Sequence, residues 1–443
     1  MAAAYDYDLV VIGAGSGGLS AAKRADKLGK RVAIAEKNVI GGTCVNRGCT
    51  PTKLMIYAAE FAKQQEIASG YGWINLKGKF DWPSFKQAMD NHVRAIRQKQ
   101  IEKLEGIDIL RGQATFIDAH TLEIESQKIT SEFVLIAVGG RPTMPDLPGI
   151  EHAIDSRQIL NLDTLPDSFL IAGGGYIGVE FSQVLRCYGR QVTLVESNPC
   201  VLNGFDQDIQ ARVKKTLIDD GIALMEDTRL KKIEKGTDCL AADLSNGKIV
   251  KTDQILCALG RTANADTLNL AAVNIDTEKG MIVVDPQGRT QEPNIFAIGD
   301  CTATMLLTPV AKAEGTTAAE AMFGDSSAQV DYYWIPSAVF MHPEVAMAGL
   351  TEQAARDRYG RIEIKCNTFT PLKYAITSNP IEALIKLIID PKTQKIIGIH
   401  MAAPRAADLV QALVPALKRG LTAAELAQTI GIHPSTGEEL FCL

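Results

Sequence analysis

Long hydrophobic segments are missing from this sequence of 443 residues. Its longest apolar runs are much shorter than the roughly 20 residues that a membrane-spanning helix requires. No basic, cleavable signal segment precedes the first strand-like run, residues 8–12, so we expect a cytoplasmic protein without a membrane partner. An excess of positive charge is missing too, since 46 Lys and Arg face 52 Asp and Glu, for a net charge of −6. That balance excludes a general electrostatic affinity for nucleic acid.

The nine cysteines lack the density of a disulfide scaffold and the spacing of a zinc site. Cys44 and Cys49 are five positions apart, which differs from the common C-x-x-C arrangement, and no second cysteine pair or histidine pair is nearby. We therefore predict no metal site. Two interpretations of the pair stay open at this point: two buried thiols, or a small disulfide ring within the glycine- and proline-containing segment 41–53.

A strand, a glycine-rich turn, a helix and a second strand follow one another at the start of the chain. The strand 8–12 runs into the turn Gly13-x-Gly15-x-x-Gly18, and the second strand ends on Glu36. In a dinucleotide-binding fold the first glycine permits the tight turn, the second lets the backbone approach a pyrophosphate, and the third lets the helix pack on the strand. Glu36 is then placed to bind a ribose hydroxyl.

The same pattern recurs about 160 residues later, as the turn Gly173-x-Gly175-x-x-Gly178 followed by a strand that ends on Glu196. Such a long repeat predicts two separate nucleotide-binding domains, because solenoid repeats are much shorter. The elements predicted elsewhere are helices at 19–28 and 179–188, strands that end in glycine at Gly139 and Gly260, and, near the C-terminus, strands at 338–340, 344–348 and 384–389 with a helix at 406–417. No glycine fingerprint occurs in that last region, which predicts a third domain.

A longer motif surrounds the two cysteines: Gly42-Thr43-Cys44-Val45-Asn46-x-Gly48-Cys49-x-Pro51. Together with Gly299-Asp300, the run 307–311 and His433-Pro434 followed by Glu438, it resembles the class I pyridine nucleotide-disulfide oxidoreductases. This flavin-dependent group includes glutathione reductase, lipoamide dehydrogenase, trypanothione reductase and mercuric reductase. The resemblance covers essentially the whole chain and is strongest to glutathione reductase-like proteins.

The resemblance implies an α/β fold class with two Rossmann-like dinucleotide-binding domains plus a C-terminal α+β dimerisation domain. The implied boundaries are 1–143 for the first part of the FAD-binding domain, 144–262 for the NAD(P)-binding domain, 263–332 for the second part of the FAD or central domain, and 333–443 for the dimerisation domain. It also implies an FAD-dependent NAD(P)H:disulfide oxidoreductase, a homodimer with shared active sites, and a disulfide substrate.

Individual residues acquire roles from the same resemblance. The implied catalytic residues are Cys44, Cys49, Lys53, Glu180, His433 and Glu438. The implied cofactor-binding residues are Gly13, Gly15, Ser16, Gly18, Glu36, Thr43, Gly139 and Asp300 for FAD, and Gly173, Gly175, Tyr176, Gly178, Glu196 and Gly260 for the nicotinamide coenzyme. Cys49 would face the flavin and Cys44 would attack the substrate. His433, oriented by Glu438, would serve the cysteines of the partner subunit.

The coenzyme prediction depends on the residues after the second fingerprint. In the glutathione reductases two arginines bind the 2′-phosphate of NADPH, and the matching positions here are Ser197 and Asn203. Glu196 can accept hydrogen bonds from ribose hydroxyls but repels a phosphate. No Lys or Arg occurs between Arg190 and Arg212. We therefore predict a preference for NADH, with NADPH as the alternative.

Three positions that bind glutathione in the resembled enzymes carry other residues here. Two arginines are matched by Lys23 and Thr316, and a tyrosine is matched by Arg97. Lysine loses bidentate carboxylate recognition, and threonine removes a charge-assisted hydrogen bond. We expect a disulfide other than ordinary glutathione disulfide, either a modified low-molecular-weight thiol or a small glutaredoxin- or thioredoxin-like protein. The alternatives are a glutathione-disulfide reductase, a dihydrolipoamide dehydrogenase and a mercuric reductase.

Two further classes are less favoured. A flavin transhydrogenase does not need the cysteine pair, and a redox-sensing scaffold does not need the complete set of implied catalytic residues. A dedicated mercury enzyme usually carries a C-terminal cysteine pair, whereas this chain has the single Cys442.

Overall fold

The computed structural model describes residues 4–76, 78–324 and 327–443, and the chain divides into two compact units. Unit 1 comprises residues 1–52, 83–143 and 260–330, and unit 2 comprises residues 53–82, 144–259 and 331–443. Residues 53–82, which the sequence analysis assigned to the first domain, cluster with unit 2. The four-part division into domains stays a prediction.

The strands and helices are numbered in chain order. The strands are β1 (Tyr7–Ile12), β2 (Val32–Glu36), β3 (Asp108–Arg111), β4 (Ala114–Asp118), β5 (Thr121–Ile124), β6 (Gln127–Ile136), β7 (Gly140–Pro142), β8 (Ile154–Asp155), β9 (Ser168–Ala172), β10 (Gln191–Val195), β11 (Ala223–Met225), β12 (Leu230–Lys235), β13 (Leu240–Leu244), β14 (Ile249–Thr252), β15 (Gln254–Cys257), β16 (Arg261–Ala263), β17 (Thr277–Glu278), β18 (Met281–Ile282), β19 (Ile295–Ala297), β20 (Ser337–Val339), β21 (Val345–Gly349), β22 (Glu363–Phe369), β23 (Ala383–Ile389) and β24 (Ile396–Ala402). The α-helices are α1 (Ser16–Lys27), α2 (Gly42–Arg47), α3 (Cys49–Gly70), α4 (Trp82–Glu102), α5 (Tyr176–Cys187), α6 (Gln207–Asp219), α7 (Thr308–Phe323), α8 (Glu352–Tyr359), α9 (Ala406–Lys418) and α10 (Ala423–Ala427).

Unit 1 is built on a parallel sheet in the order β3-β2-β1-β6-β19. Its central strand β1 is apolar and buried, as expected for a parallel strand covered on both faces. Strand β6 continues into an antiparallel meander with β5 and β4. In such a sheet, ligands bind beyond the carboxyl ends of the strands, which is where the first glycine turn lies.

Helices α1 and α7 cross at very short range in unit 1. A Cβ atom added at Gly315 would lie 2.3 Å from the carbonyl oxygen of Gly17, and one added at Gly17 would lie 2.9 Å from the carbonyl oxygen of Ala311. Only glycine fits at either position, because a real Cβ does not approach so closely. The crossing joins parts of the chain that are almost 300 residues apart.

Unit 2 contains three sheets. The parallel sheet has the order β11-β10-β9-β15-β8, and an antiparallel sheet of β12, β13 and β14 is inserted in the chain between β11 and β15. The C-terminal region forms the antiparallel sheet β20-β21-β24-β23-β22, in which β23 and β24 are buried along their whole length. Helix α9 contributes Val410 and Val414 to the core beside this sheet.

A fully buried lysine, Lys386 in β23, lies in unit 2 among three carboxylates. Its Nζ atom is 2.8 Å from Oδ1 of Asp206, 2.6 Å from Oδ2 of Asp208 and 2.6 Å from Oε2 of Glu352. Burial alone favours the neutral amine, but the three carboxylates raise the pKa of Lys386. Asp206 also caps helix α6, so the lysine fixes the start of that helix.

Lys386→Met is expected to lower the free energy of unfolding by about 3–5 kcal/mol, because the buried Asp206 would lose its cation. Lys215→Met is the matched control, since Lys215 forms an exposed ion pair with Asp219 that is worth at most about 1 kcal/mol. Denaturant titration of both variants measures the difference. Equal losses in the two variants would contradict this prediction.

No helix among the described residues is long and apolar enough to cross a membrane.

Candidate active site

The first glycine turn in unit 1 has the backbone geometry that its sequence predicts. Gly13 has a φ of +110°, and a Cβ there would lie 2.5 Å from the carbonyl oxygen of Ala137. A Cβ at Gly18 would lie 2.1 Å from the carbonyl oxygen of Gly13. Helix α1 begins at Ser16, directly after Gly15, so its N-terminus points out of the turn. Backbone N–H groups in this position bind phosphate.

The segment that carries the two cysteines packs directly on this turn. Gly42 has a φ of +59°, and a Cβ there would lie 2.7 Å from the Cα atom of Gly15. The N–H of Gly41 donates to the carbonyl oxygen of Ala14 at 2.8 Å. The two glycines therefore allow the short helix α2, with Cys44, to lie beside the phosphate-binding turn.

Cys44 and Cys49 are free thiols that interact with each other. The S–H of Cys49 stabilises the Cys44 thiolate and lowers the pKa of Cys44 to about 6, with further hydrogen bonds from Thr308 and Ser16 and the nearby charge of Lys312. The same bond and burial raise the pKa of Cys49. Cys44 is therefore the more readily ionised member of the pair.

Thr308 connects the cysteines to helix α7. Its Oγ1 atom lies 3.5 Å from the Sγ atom of Cys49, and Thr308 is the first residue of the helix. The sequence analysis missed this contact. The signal available for it was the run 307–311, which contributed to the family resemblance but did not indicate a partner for the cysteines.

One cleft in unit 1 unites the residues implied to bind FAD. It is lined by the implied residues Gly13, Gly15, Ser16, Glu36, Thr43, Gly139 and Asp300, and also by Cys44 and Thr308. Glu36 is held by the N–H groups of Ala14 and Asn38, at 2.8 and 2.7 Å. Asp300 accepts a hydrogen bond from Nε of Arg261 at 3.1 Å. A glycine turn, a carboxylate at the end of β2 and a thiol of lowered pKa along one cleft fit an FAD molecule.

The second fingerprint lies in unit 2 with the same geometry. Gly173 has a φ of +106°, and a Cβ at Gly178 would lie 1.8 Å from the carbonyl oxygen of Gly173. Gly175 precedes helix α5, and Tyr176 is its half-exposed first residue. Gly260, implied for the same coenzyme, falls in unit 1, where it accepts a hydrogen bond from the N–H of Thr143 at 2.9 Å.

Glu196 follows strand β10 and is almost fully buried. Its Oε2 atom accepts from the N–H of Gly174 at 2.6 Å, and its Oε1 atom accepts from both the N–H and Nδ2 of Asn198 at 2.7 Å. Two more acids, Glu226 and Asp227, act with Glu196 to raise the pKa of Cys200 beyond the effect of burial. Lys214 acts on Cys200 in the opposite direction and forms an ion pair with Glu226. Three acids and one lysine therefore lie near this end of the sheet.

Lys53 and Glu180 contact the same residue in unit 2. The Nζ atom of Lys53 lies 3.7 Å from the centre of the Phe340 ring, and the N–H of Phe340 donates to Oε1 of Glu180 at 2.8 Å. Lys53 also forms an ion pair with Glu344 at 3.6 Å. Neither Phe340 nor Glu344 was singled out in the sequence.

His433 and Glu438 form the dyad that the sequence predicts. Nδ1 of His433 is 2.9 Å from Oε2 of Glu438, and the other carboxylate oxygen accepts from the N–H of Ser435 at 3.0 Å. The backbone N–H of Ser435 and the histidine lower the pKa of Glu438. The His433 side chain is 83% exposed, so Nε2 is available to a group outside its own chain.

Comparison with known protein families shows to which family the chain belongs. Residues 7–315 match the family model described as pyridine nucleotide-disulphide oxidoreductase, and residues 335–441 match the dimerisation domain of the same family. The chain belongs to the pyridine nucleotide-disulphide oxidoreductase family. This family is FAD-dependent and uses NAD(P)H, and the dimerisation domain supports a homodimer.

Relatives of this pyridine nucleotide-disulphide oxidoreductase include enzymes named glutathione reductase. One from Nostoc sp. is 39% identical over 452 residues, covering 98% of this chain and 98% of the relative. One from Burkholderia cepacia is 35% identical over 443 residues, covering 99% and 98%. Among solved structures, the HOCl-induced flavoprotein disulfide reductase RclA from Escherichia coli superposes with a TM-score of 0.88, 29% identity and 99% coverage of both chains. These matches confirm the family and fold class expected from the sequence.

Among the residues that the structure describes, no group of three or more His, Cys, Asp or Glu side chains is arranged to hold a metal ion.

Proposed function

We propose that this oxidoreductase reduces a disulfide substrate with electrons from NADH, by way of FAD and a redox disulfide between Cys44 and Cys49. The balanced reaction is NADH + H⁺ + RSSR → NAD⁺ + 2 RSH. The observation that carries the proposal is the pair of interacting thiols beside the first glycine turn, in which the pKa of Cys44 is about 6. A thiolate is the attacking species in disulfide exchange, and it is most effective when its pKa is close to the ambient pH.

The side chains of the protein itself perform the disulfide exchange. FAD, when bound, supplies the transfer of a hydride equivalent from the nicotinamide to the protein disulfide as two electrons. The Cys44 thiolate then attacks one substrate sulfur, which forms a mixed disulfide and releases the first thiol. Cys49 attacks the Cys44 sulfur of that mixed disulfide, which releases the second thiol and re-forms the Cys44–Cys49 bond. His433 of a second subunit donates the proton to the leaving thiolate.

Lys53 and Glu180 act together in this proposal. Their common contact with Phe340 supports treating them as one group, in which the lysine cation stabilises negative charge on the reduced cofactor. Glu344 adds a second acid to the group, at ion-pair distance from Lys53. Tyr176, half-exposed at the start of helix α5, is proposed as the residue that covers the flavin until the coenzyme binds.

The shared active site requires a homodimer, and exposed apolar side chains support one. Unit 2 exposes a set of large hydrophobic residues to solvent in the isolated chain: Phe61, Trp73, Ile74, Leu372, Ile376, Ile430 and Ile432. Two of them, Ile430 and Ile432, directly precede His433. Apolar groups of this size are normally covered by a partner. A cytoplasmic location stays a prediction.

We expect kcat/KM to be at least about tenfold higher for NADH than for NADPH, because the Glu196 carboxylate repels a 2′-phosphate and Ser197 and Asn203 provide no cation to bind it. Oε1 of Glu196 already accepts two hydrogen bonds from Asn198, whereas Oε2 accepts one, from Gly174. Oε2 is therefore the oxygen that we expect to accept a hydrogen bond from one ribose hydroxyl. Steady-state kinetics with both coenzymes measures the preference. The double variant Ser197→Arg with Asn203→Arg should lower the ratio of kcat/KM for NADH to kcat/KM for NADPH. A higher kcat/KM for NADPH in the unaltered protein would refute the prediction.

Ordinary glutathione disulfide is expected to be a poor substrate, with kcat/KM below about 10⁶ M⁻¹s⁻¹. The physical reason is the absence of two arginines: Lys23 loses bidentate carboxylate recognition, and Thr316 removes a charge-assisted bond worth about 1.5–3 kcal/mol. Thr316→Arg should raise kcat/KM for glutathione disulfide. If the unaltered protein exceeds 10⁶ M⁻¹s⁻¹, these substitutions do not matter and the chain is a glutathione reductase.

Reduction of Cu(II) is a second candidate, because two thiols that share one proton are also soft metal ligands. It is favoured by the likeness to RclA, for which a Cu(II) complex has been solved with a TM-score of 0.88 to this chain. The balanced reaction is NADH + 2 Cu(II) → NAD⁺ + H⁺ + 2 Cu(I). Anaerobic oxidation of NADH with Cu(II) alone and with a neutral disulfide alone distinguishes the two functions.

A further inference from the structure

The segment between strand β10 and helix α6, residues 197–206, lies against the second glycine turn of unit 2. The N–H of Leu202 donates to the carbonyl oxygen of Gly174 at 2.8 Å, and the N–H of Asn198 donates to Oε1 of Glu196 at 2.7 Å. The segment therefore contacts both the fingerprint turn and the acid to which the proposed function assigns the coenzyme.

The backbone of this segment is strained at Leu202. Its φ is +53°, in the left-handed region that a residue with a Cβ atom avoids, and its side chain is 1% exposed. Such a conformation persists only where surrounding contacts hold it, and strained residues of this kind cluster at ligand-binding sites. The contacts that hold Leu202 therefore determine the shape of the 197–206 segment.

Gln210, in the first turn of helix α6, supplies one of these contacts. Its Nε2 atom donates to the carbonyl oxygen of Leu202 at 3.0 Å, and its Oε1 atom accepts from the S–H of Cys200 at 3.1 Å. The N–H of Phe205 donates to the same carbonyl oxygen at 3.0 Å. Both backbone polar groups of Leu202 are thus hydrogen-bonded, its N–H to the glycine turn and its C=O to helix α6.

The end of the segment is held by Lys386, from the C-terminal sheet. Asp206 is the last residue of the segment, and its Oδ1 atom lies 2.8 Å from Nζ of the buried lysine. Its Oδ2 atom accepts from the N–H of Glu352 at 2.9 Å, and its carbonyl oxygen accepts from the N–H of Gln210 at 3.0 Å. The helix that carries Gln210 is thereby fixed to strand β23, although Asp206 and Lys386 are 180 residues apart in the chain.

We propose that Gln210 and Lys386 are positioning residues for the nicotinamide coenzyme, which hold the 197–206 segment in the conformation that presents Gly174 and Glu196 to the adenosine half of the coenzyme. This inference rests on the proposed function, which assigns the coenzyme to the second fingerprint. A segment that is ordered before binding loses less conformational freedom on binding, which raises affinity. Without these contacts the strained Leu202 relaxes, and its hydrogen bond to the glycine turn is lost.

Equilibrium binding to the oxidised holoenzyme tests the role of Gln210 without turnover. The probes are NAD⁺ and ADP-ribose, and isothermal titration calorimetry measures the Kd of each. Gln210→Met is expected to raise both Kd values by about tenfold, because methionine has a similar volume but cannot donate to the Leu202 carbonyl oxygen. Gln207→Met is the matched control, since Gln207 is exposed in the same turn of α6, and it should leave both Kd values within about twofold.

Lys386→Met is expected to raise the Kd of ADP-ribose as well, and its control is a variant with a comparable loss of stability. Leu387→Ala serves this purpose, because Leu387 is the next residue of β23 and is buried on the opposite face, in the core beside helix α9. Both variants are titrated at a temperature well below their unfolding transitions. Only Lys386→Met should weaken the binding of ADP-ribose.

Kinetics separate positioning from a merely structural role. In Gln210→Met the KM for NADH should rise by about tenfold, whereas kcat at saturating NADH should change by less than about twofold. A lower unfolding temperature with Kd and KM equal to those of Gln207→Met overturns the inference and leaves the proposed function standing. Failure of NAD⁺ and ADP-ribose to bind the unaltered protein overturns the assignment of the coenzyme to the second fingerprint, and the inference with it.

Discussion

Cys44→Ser is expected to lower kcat/KM for every disulfide substrate by about 10³-fold or more, as is typical when a catalytic nucleophile is removed. Serine cannot form the mixed disulfide, and its hydroxyl is not ionised near pH 7. The variant should still bind FAD, because the glycine turn, Glu36 and Asp300 remain in the cleft. Steady-state kinetics and the flavin absorbance of the purified variant measure both effects. Cys366→Ser, at an exposed thiol in unit 2, is the matched control.

The pH dependence of Cys44 gives the same prediction a second test. In the reduced protein the alkylation rate of Cys44 by iodoacetamide should rise as the pH increases through about 6, because the thiolate fraction grows above the pKa. An ordinary thiol would show the rise near pH 8.5. Full disulfide turnover by Cys44→Ser, or an alkylation profile centred near 8.5, would contradict the role assigned to Cys44.

His433→Ala is expected to slow the reduction of disulfides by about 10²–10⁴-fold, the range for a lost general acid–base residue. Reduction of the flavin by NADH should stay nearly unchanged, because the dyad with Glu438 serves the exchange at the cysteines. Stopped-flow measurement of each half-reaction separates the two effects. His92→Ala, at an exposed histidine of α4, is the control.

Subunit mixing tests whether His433 acts on the cysteines of its partner. Cys44→Ser and His433→Ala are each expected to have little disulfide reductase activity when expressed alone. When the two are co-expressed in equal amounts, a shared site gives heterodimers with one complete site of two, and roughly a quarter of the full activity returns. A site built within one chain restores none, so absence of recovery in verified heterodimers would refute the shared-site proposal.

The fold could be predicted closely wherever a local pattern determined it. The C-terminal strands at 344–348 and 384–389 and the helix at 406–417 agree with β21, β23 and α9 to within one residue at each end. Helix α1 was predicted to start at residue 19 but begins at Ser16, because Gly17 and Gly18 lie inside it. Glycine disfavours a helix, and here it is required by the close approach of α7 and of the glycine turn.

The long-range contacts of Cys49 and Lys53 could not be predicted from local patterns. Thr308 and Cys49 are separated by 259 residues, and no periodicity in the sequence connects positions so far apart. Lys53 is paired with Glu344 and lies against Phe340, although neither residue carries a motif of its own. The identities of the proposed reacting groups followed from local motifs and a resemblance. Thr308 and Lys312, which lower the pKa of Cys44 in addition to the neighbouring Cys49, depend on tertiary packing.

The crossing of α1 and α7 has a consequence for how the protein is made. Translation at about 5–20 residues per second needs roughly 13–50 s to pass from Cys49 to Thr308, 259 residues later. During that interval Cys44 lacks Thr308 and Lys312, two of the groups that lower its pKa. The nascent cysteine therefore has Cys49 nearby but lacks part of the stabilisation of its thiolate. The contribution of α7 is added only when the second half of unit 1 has been synthesised and that helix has docked.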